Sequence, residues 1–259
     1  MIKELKSSVH KTFSILEYFT EQKPDWGVTE LAKEIGSNKS TVYRFLSDMQ
    51  QMGILDKHPE TEKYSLGLKL FELGSRVKLK SALVEKTHPV LELVANDIKE
   101  TVHIAVLKNN KVFYVDKVES PLGLKISSQI GSYNPIHATA LGKVLMAYQQ
   151  DPKKEMILDQ IFEQSNAQAF TTNTITDKSV MQKALAQIKK KGFALDKEEF
   201  EIGLICLAIP IYNENGEVIA SLSASGPANR FKKEELNNYV ATLQRGADLI
   251  KKKIGLFKP

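Results

Sequence analysis

The sequence predicts an α+β chain in two parts: a winged helix-turn-helix, then an antiparallel sheet with helices packed on its faces. Three observations carry this. Residues 28–52 hold two apolar helical stripes, Leu31, Ala32, Ile35 and then Val42, Phe45, Leu46, Met49, separated by Gly36. Apolar residues at i, i+3, i+4 and i+7 mark a helix that buries one side. Residues 53–67 have apolar ends around a polar, proline-containing tip, which reads as a hairpin placed directly after the second helix. From Glu100 onward the apolar period falls from helical to two.

Taken in order, residues 7–22 read as a first helix with Phe13, Leu16 and Phe19 or Tyr18 inward, broken by Pro24 and Gly27. Gly36 ends the next helix, because glycine reaches the left-handed cap without strain. Ser37 or Asn38 is placed to cap the one after. Residues 67–98 read as helical, interrupted near His88-Pro89, with Val90, Leu91, Val94 and Ile98 on one face after the break. Leu68, Phe71, Leu73, Val77 and Leu79 are too apolar for a free linker and suggest a packed helix, with a partner chain as one candidate cover. Thr101–Leu107 and Lys111–Val118 form a hairpin through Asn109-Asn110, and Leu122–Ile130 reads as a third strand. Helices are predicted over Ala138–Gln149 and Asp177–Lys191. Strands follow at Phe193–Asp196, Ile202–Tyr212 and Glu217–Ser225, and a closing helix at Lys232–Ile254. Hairpin-linked strands with helices between them imply an antiparallel sheet covered by helices.

The chain has 259 residues, 42% hydrophobic and 26% charged, enough for a real core. Its apolar runs are too short to span a membrane, and Met1–Lys6 lacks a signal-peptide stretch, so a cytoplasmic location is the default expectation. One cysteine, Cys206, excludes an intrachain disulfide and a cysteine-based zinc site. The net charge of +5 is not concentrated in the head: residues 1–66 carry −1, 67–86 carry +3 and 87–259 carry +3. A nucleic-acid reading therefore rests on placement. Lys39, Ser40, Thr41, Tyr43 and Arg44 share the outer face at the start of the second helix, and their side chains donate to phosphates and base edges. Lys57, His58 and Lys63 lie on the wing. Lys69, Arg76, Lys78, Lys80 and Lys86 follow it, either as phosphate contacts or as a solvated helix face.

In the second half, Asp196, Glu198, Cys206, Ser223 and Ser225 fall at ends or on alternating faces of strands. Ser223 and Ser225, two apart, point to one side. Thr139, Ala140 and Leu141 open a helix, whose free amides and dipole attract an anion. Amides, two hydroxyls and a thiol suit a small carboxylate. Plainer readings stand beside this: Cys206 as a small buried hydrophobe, the serines facing solvent, and Asp196, Glu198 and Glu199 as a charged loop. His103 reads as a core or interface histidine, and His137 as satisfying a backbone group. An enzyme is disfavoured: there is no Gly-x-Ser-x-Gly elbow, Gly-rich phosphate loop or His-Glu-x-x-His, and no catalytic, cofactor or metal residues are assigned. The alternative is a small-molecule-metabolising enzyme with an appended winged-helix protein-interaction module. Tyr43 and Arg44 beside Lys39, Ser40 and Thr41 favour DNA over that module.

Thr29-Glu30-Leu31-Ala32, Lys39–Leu46, Lys63–Gly67, Pro135–Lys143, Asp196–Glu199 with Gly203–Ala208, and Ser223–Pro227 together resemble the IclR-type transcriptional regulators over nearly the whole chain. The resemblance implies a winged helix-turn-helix over 1–67, a linker helix over 68–86 and a GAF-like effector-binding domain over 87–259. It implies a dimer or dimer of dimers on double-stranded, palindromic operator DNA. It adds Thr29 to the DNA-contacting set. It implies a small organic acid held by Leu124, Ile126, Thr139, Ala140, Asp196, Leu204, Cys206, Ser223 and Ser225. Many members carry glycine at the Ala140 position; the methyl here narrows the pocket or shifts its amide donors. Residues 66–74 are similar to a branch that regulates sugar-acid pathways. The expected function is a repressor of a catabolic operon, controlled by a small carboxylate or sugar acid such as a keto-deoxy acid.

Overall fold

The computed structural model of the chain describes residues 7–20, 22–76, 78–122, 126–162, 167–232 and 234–255, and for residues 78–83 the backbone only. Two compact units are present, Met1–Ser81 and Ala82–Pro259.

The first unit begins with α1 (Ser8–Leu16), capped by Ser7, whose side chain accepts from the His10 amide. The helix stops at Leu16 and does not reach residue 22. Ile15 and Phe19 are buried, while Phe13 is 63% exposed, against the expectation that it points inward. Ile15 sets the phase, and a residue two positions back lies about 200° around the helix. Next come α2 (Val28–Ile35) and α3 (Lys39–Gln51). Gly36 closes α2 at φ 68°, and the Ser37 amide reaches the Ala32 carbonyl at 2.9 Å. Asn38 is the N-cap of α3, with no side-chain capping bond. The wing is β1 (Leu55–Lys57) antiparallel to β2 (Tyr64–Leu66). Trp26 joins it, exchanging two backbone hydrogen bonds with Tyr64 at 2.9 Å. Leu31, Leu46, Met49, Leu55 and Tyr64 bury against one another beneath the two helices. Gly67 follows, and a Cβ there would meet the Gly53 carbonyl oxygen at 2.5 Å. After it comes α4 (Leu68–Ser75), with Leu68 81% and Phe71 77% exposed.

Helix α5 (Lys78–Ile98) runs through Pro89, so the expected break at His88-Pro89 is absent. The helix ends that are seen are Ser75 and Lys78; Val77, between them, and the Leu79 side chain lie outside the described residues. A proline inside a helix costs about 3 kcal/mol. Val90, Leu91, Val94, Ala95 and Ile98, all buried just beyond it, offset that cost.

The second unit is a six-stranded antiparallel sheet in the order β5-β4-β3-β8-β7-β6. Its strands are β3 (Thr101–Lys108), β4 (Lys111–Val118), β5 (Tyr133–Asn134), β6 (Ala194–Lys197), β7 (Leu204–Tyr212) and β8 (Val218–Pro227). Asn109 and Asn110 both take positive φ, 51° and 56°, as a two-residue type I′ hairpin requires. Alternation sorts the two faces. Val102, Ile104, Leu207, Ile209, Leu222 and Ala224 pack under α5 and α9 (Leu236–Gly255). Ala105, Tyr114, Ala194 and Ala208 pack under α6 (Ala140–Ala147), α7 (Asp151–Phe162) and α8 (Lys178–Lys191).

The expected third strand at Leu122–Ile130 is not a strand among its described residues. Its carbonyls go elsewhere: Lys117 Nζ donates to Ile126 O at 2.7 Å and to Ser128 O at 2.8 Å. A bulge in β4 turns Val115 and Asp116 toward the α5 face and leaves Lys117 on the α6 face. On the α5 side, Asp116 Oδ2 lies 2.9 Å from His88 Nδ1. Helix α6 starts two residues later than expected, with Thr139 as its cap. Helix α7 was not foreseen.

Candidate functional site

Two regions hold the sequence-predicted residues. In the head, the opening turns of α3 present Lys39, Ser40, Tyr43 and Arg44 to solvent, with Thr41 half-buried and Thr29 exposed at the start of α2. The apolar residues of α3, Val42, Leu46 and Met49, all face inward, so the polar residues share one outer face. On the wing Lys63 is exposed. Lys57 is paired with Glu62 across the hairpin, so its ammonium charge is already met by a carboxylate. His58 Nε2 lies 3.5 Å from Asp25 Oδ1.

The second region is the α6 face of the sheet. Strand register places Asp196, Cys206, Ser225 and Thr101 in one row across β6, β7, β8 and β3. The next row contains Ala194, Ala208, Ser223, His103 and Lys117. Leu204 lies on the same face as Cys206, two residues earlier. Thr139 and Ala140 enter from above, at the start of α6. Thr139 Oγ1 accepts from the Gly142 amide at 3.2 Å and donates to Pro135 O at 2.9 Å. The amides of Ala140 and Leu141 precede the first intrahelical bond, Lys143 N to Thr139 O. Gly142 lets the segment leading into α6 pass close against the helix: a Cβ there would meet Ile136 Cα at 2.5 Å. Ile126 is tied to the same face by Lys117. Leu124 lies outside the described residues.

Burial dominates the electrostatics. Asp196 is 1% exposed, and desolvation raises its pKa to about 7 despite a 2.7 Å hydrogen bond from the Glu199 amide. Burial, aided by Asp196, pushes the Cys206 thiol up to about 12, so the sulfur stays protonated. His103 is pushed down to about 3 by burial and by Lys117, which keeps its ring neutral. Ser223 and Ser225 are buried, which removes the solvent-facing reading. Glu199 is buried too, and its carboxylate receives Lys143 Nζ, which also donates to Leu195 O at 2.6 Å. Thr171 and Thr174 fasten the loop further through Oγ1 bonds to Glu199 O. Asp196 and Glu199 thus belong to a buried framework, while Glu198 accepts from the Gly203 amide at 2.7 Å.

Sequence reasoning missed Lys143, Glu199 and Lys117 as builders of this face. A lysine inside the apolar run Ala140–Ala147 was the available signal for Lys143. His137 does satisfy a backbone group, with Nε2 3.0 Å from Gln168 O. It lines a separate hollow of about 270 Å³ with Asn110, Lys111 and Ile161, which includes none of the predicted site residues. Among the described residues, no group of three or more His, Cys, Asp or Glu is arranged to hold a metal ion.

The IclR helix-turn-helix domain matches residues 8–59, and the bacterial transcriptional regulator IclR C-terminal domain matches residues 77–252. The chain belongs to the IclR family of bacterial transcriptional regulators. It is similar to the HTH-type transcriptional regulator KdgR of Escherichia coli, with 38% identity over 96% of this chain and 93% of that one. It is 30% identical to the acetate operon repressor of Salmonella typhimurium over 93% and 87% of the two chains. An IclR homologue from Microbacterium hydrocarbonoxydans, solved with 4-hydroxybenzoate, shares the fold at a TM-score of 0.84 and 24% identity, over 95% and 98% of the chains. This IclR-family chain is a DNA-binding transcriptional regulator whose helix-turn-helix is α2 and α3. Its family is one of regulators, which sets the enzyme reading aside. None of the described helices is long and apolar enough to cross a membrane.

Proposed function

We propose that this regulator represses a catabolic operon and releases it when a small carboxylate or sugar acid binds the α6 face of the second unit. In this reading residues 1–67 read operator DNA, 68–86 form the linker and 87–259 sense the effector. Lys39, Ser40, Thr41, Tyr43 and Arg44 enter the major groove with Thr29 beside them, and Lys63 and Lys57 follow the phosphate backbone, Lys57 by exchanging Glu62 for a phosphate. The effector carboxylate lies by the first amides of α6 and the Ser225–Cys206–Asp196 row, with Ile126 and Leu204 around its carbon chain. The observation that carries this is the double row of buried polar side chains facing the start of α6. A protonated Asp196 fits beside a carboxylate, where an ionised one repels it. The homologue solved with 4-hydroxybenzoate and the relative named as an acetate operon repressor support a small acid and a repressor.

The protein acts as a homodimer or a dimer of dimers, with the exposed Leu68 and Phe71 of α4 covered by a second copy. The ligand changes the fit of two heads to two half-sites. That requires different affinities for two arrangements, typically about 1–3 kcal/mol of coupling. Fluorescence anisotropy with DNA from upstream of the gene, at two salt concentrations and against a scrambled duplex, tests the reading. Specific binding released by a small acid is expected. Equal, salt-sensitive binding to both duplexes, unaffected by acids, overturns it.

A further inference from the structure

The hollow beside His137 has no task in the effector reading. Its walls come from four places: the hairpin tip at Asn110 and Lys111, the Pro135–His137 stretch that leads into α6, Ile161 at the end of α7, and Gln168. Asn110 Nδ2 donates to Gln160 Oε1 at 2.8 Å and so ties the hairpin tip to α7. At about 270 Å³ the hollow falls just under the roughly 300–1,000 Å³ that holds a drug-sized ligand, which suits a smaller molecule. His137 is its buried member, 6% exposed. The ring packs against Phe170 and Phe162, with centroids 5.8 and 6.1 Å away, and Nε2 lies 3.0 Å from Gln168 O. A carbonyl oxygen only accepts, so Nε2 carries the proton. Burial lowers the pKa of the ring and keeps it neutral. Nδ1 is then a bare lone pair, with no hydrogen-bond partner among the described residues. Lys111 is the opposite: an exposed ammonium that only donates, paired with no carboxylate among the described residues. No Asp or Glu lines the hollow.

We propose that this hollow is a second ligand site, for a small anion that carries a hydroxyl. The anionic group lies by Lys111, the hydroxyl donates to His137 Nδ1, and Pro135, Ile136 and Ile161 cover the carbon between them. The proton on Nε2 makes the selection at His137. A carboxylate oxygen and Nδ1 are both acceptors and cannot pair, whereas a hydroxyl supplies the missing proton. The lining makes the selection at the other end, because a cationic ligand would meet Lys111 and no acid. Pro135 O also accepts from Thr139 Oγ1, the cap of α6, so an occupant touches the segment that starts that helix. The site shares no residue with the effector face and stands apart from that reading.

Four probes test it on the full-length protein. D-Glycerate and glycerol 3-phosphate carry both groups, the first with a carboxylate and the second with a phosphate. Propionate lacks the hydroxyls, and glycerol lacks the charge. Two-bond ¹H–¹⁵N spectra of the histidine rings follow each titration, with His137 assigned from His137→Gln. The Nδ1 resonance of His137 is expected to shift with glycerate or glycerol 3-phosphate about tenfold or more below the concentration that propionate or glycerol needs. The tighter of the two names the anionic group. Lys111→Met, at an exposed position, weakens that binding about fivefold or more and leaves the melting temperature unchanged. Ser225→Ala leaves the binding unchanged. A His137 resonance that none of the four moves at about 10 mM overturns the proposal. So does a shift that propionate or glycerol produces equally well, or one that survives Lys111→Met undiminished. A shift lost in Ser225→Ala assigns the binding to the α6 face and overturns the second site alone.

Discussion

Replacing Lys143 by methionine tests whether the α6 face of the second unit is held by a buried ion pair. The Lys143 and Glu199 side chains are 3% and 9% exposed; the ammonium meets Glu199 Oε1, and Oε2 has no hydrogen-bond partner among the described residues. Truncating one member of such a pair leaves a charge buried alone, at about 3–5 kcal/mol. For a unit the size of Ala82–Pro259, each kcal/mol lowers the melting temperature by about 2–4 °C, so a fall of roughly 6–20 °C is expected. The loss also reaches ligand binding, because the Glu199 amide holds Asp196 Oδ1. Scanning calorimetry on Lys143→Met, Glu199→Met and the double variant closes the cycle. The double variant regains most of the stability, since two apolar side chains of similar length need no partner. A single variant within about 1 kcal/mol of wild type refutes the argument, and so does a double variant less stable than either single one.

Asp196 gives a pH signature. Its folded pKa of about 7 lies above its ordinary 3.8, so the folded chain keeps a proton that the unfolded chain releases. Its contribution to stability is full below about pH 4 and is lost as pH rises through 7. Binding of an acid effector weakens over the same rise, and Asp196→Asn flattens that profile; a wild-type profile already flat from pH 5 to 8 contradicts it. In the head, Arg44→Ala lowers operator affinity by about tenfold to a hundredfold without changing effector affinity, measured by anisotropy and calorimetry. Phe71→Glu places a charge in the exposed apolar face of α4, and sedimentation velocity then shows monomer where wild type shows a dimer.

The parts of the fold that the sequence announced are those whose pattern is local. The strands at Ile202–Tyr212 and Glu217–Ser225 were marked by their turn and composition, the spacing of Ser223 and Ser225 put both on one side, and Gly36 marked the turn between α2 and α3. The misreadings share a cause. Leu122–Ile130 alternates as a strand does, but Lys117, a side chain from another strand, takes its carbonyls. Pro89 looked like a break, yet the apolar burial just beyond it carries the helix through. Helix α7 buries Ile157 and Leu158 with little stripe to betray it, and Pro152 sits in its first turn, where no donor is lost. The same holds at the site. The shared side of Ser223 and Ser225 was legible by parity. The pairing of Lys143 with Glu199 became visible only once β6 and α6 brought the two together.

Strand β4 holds two grips back to back. Lys117 grasps the backbone at Ile126 and Ser128 on the α6 side, and Asp116, one residue earlier, faces His88 of α5 on the other. A single peptide plane separates them, and a peptide plane does not stretch. The contact that holds the 126–128 segment and the contact that reaches α5 therefore depend on neighbouring residues of one strand, so a substitution that shifts β4 at 116–117 disturbs both faces of the sheet together.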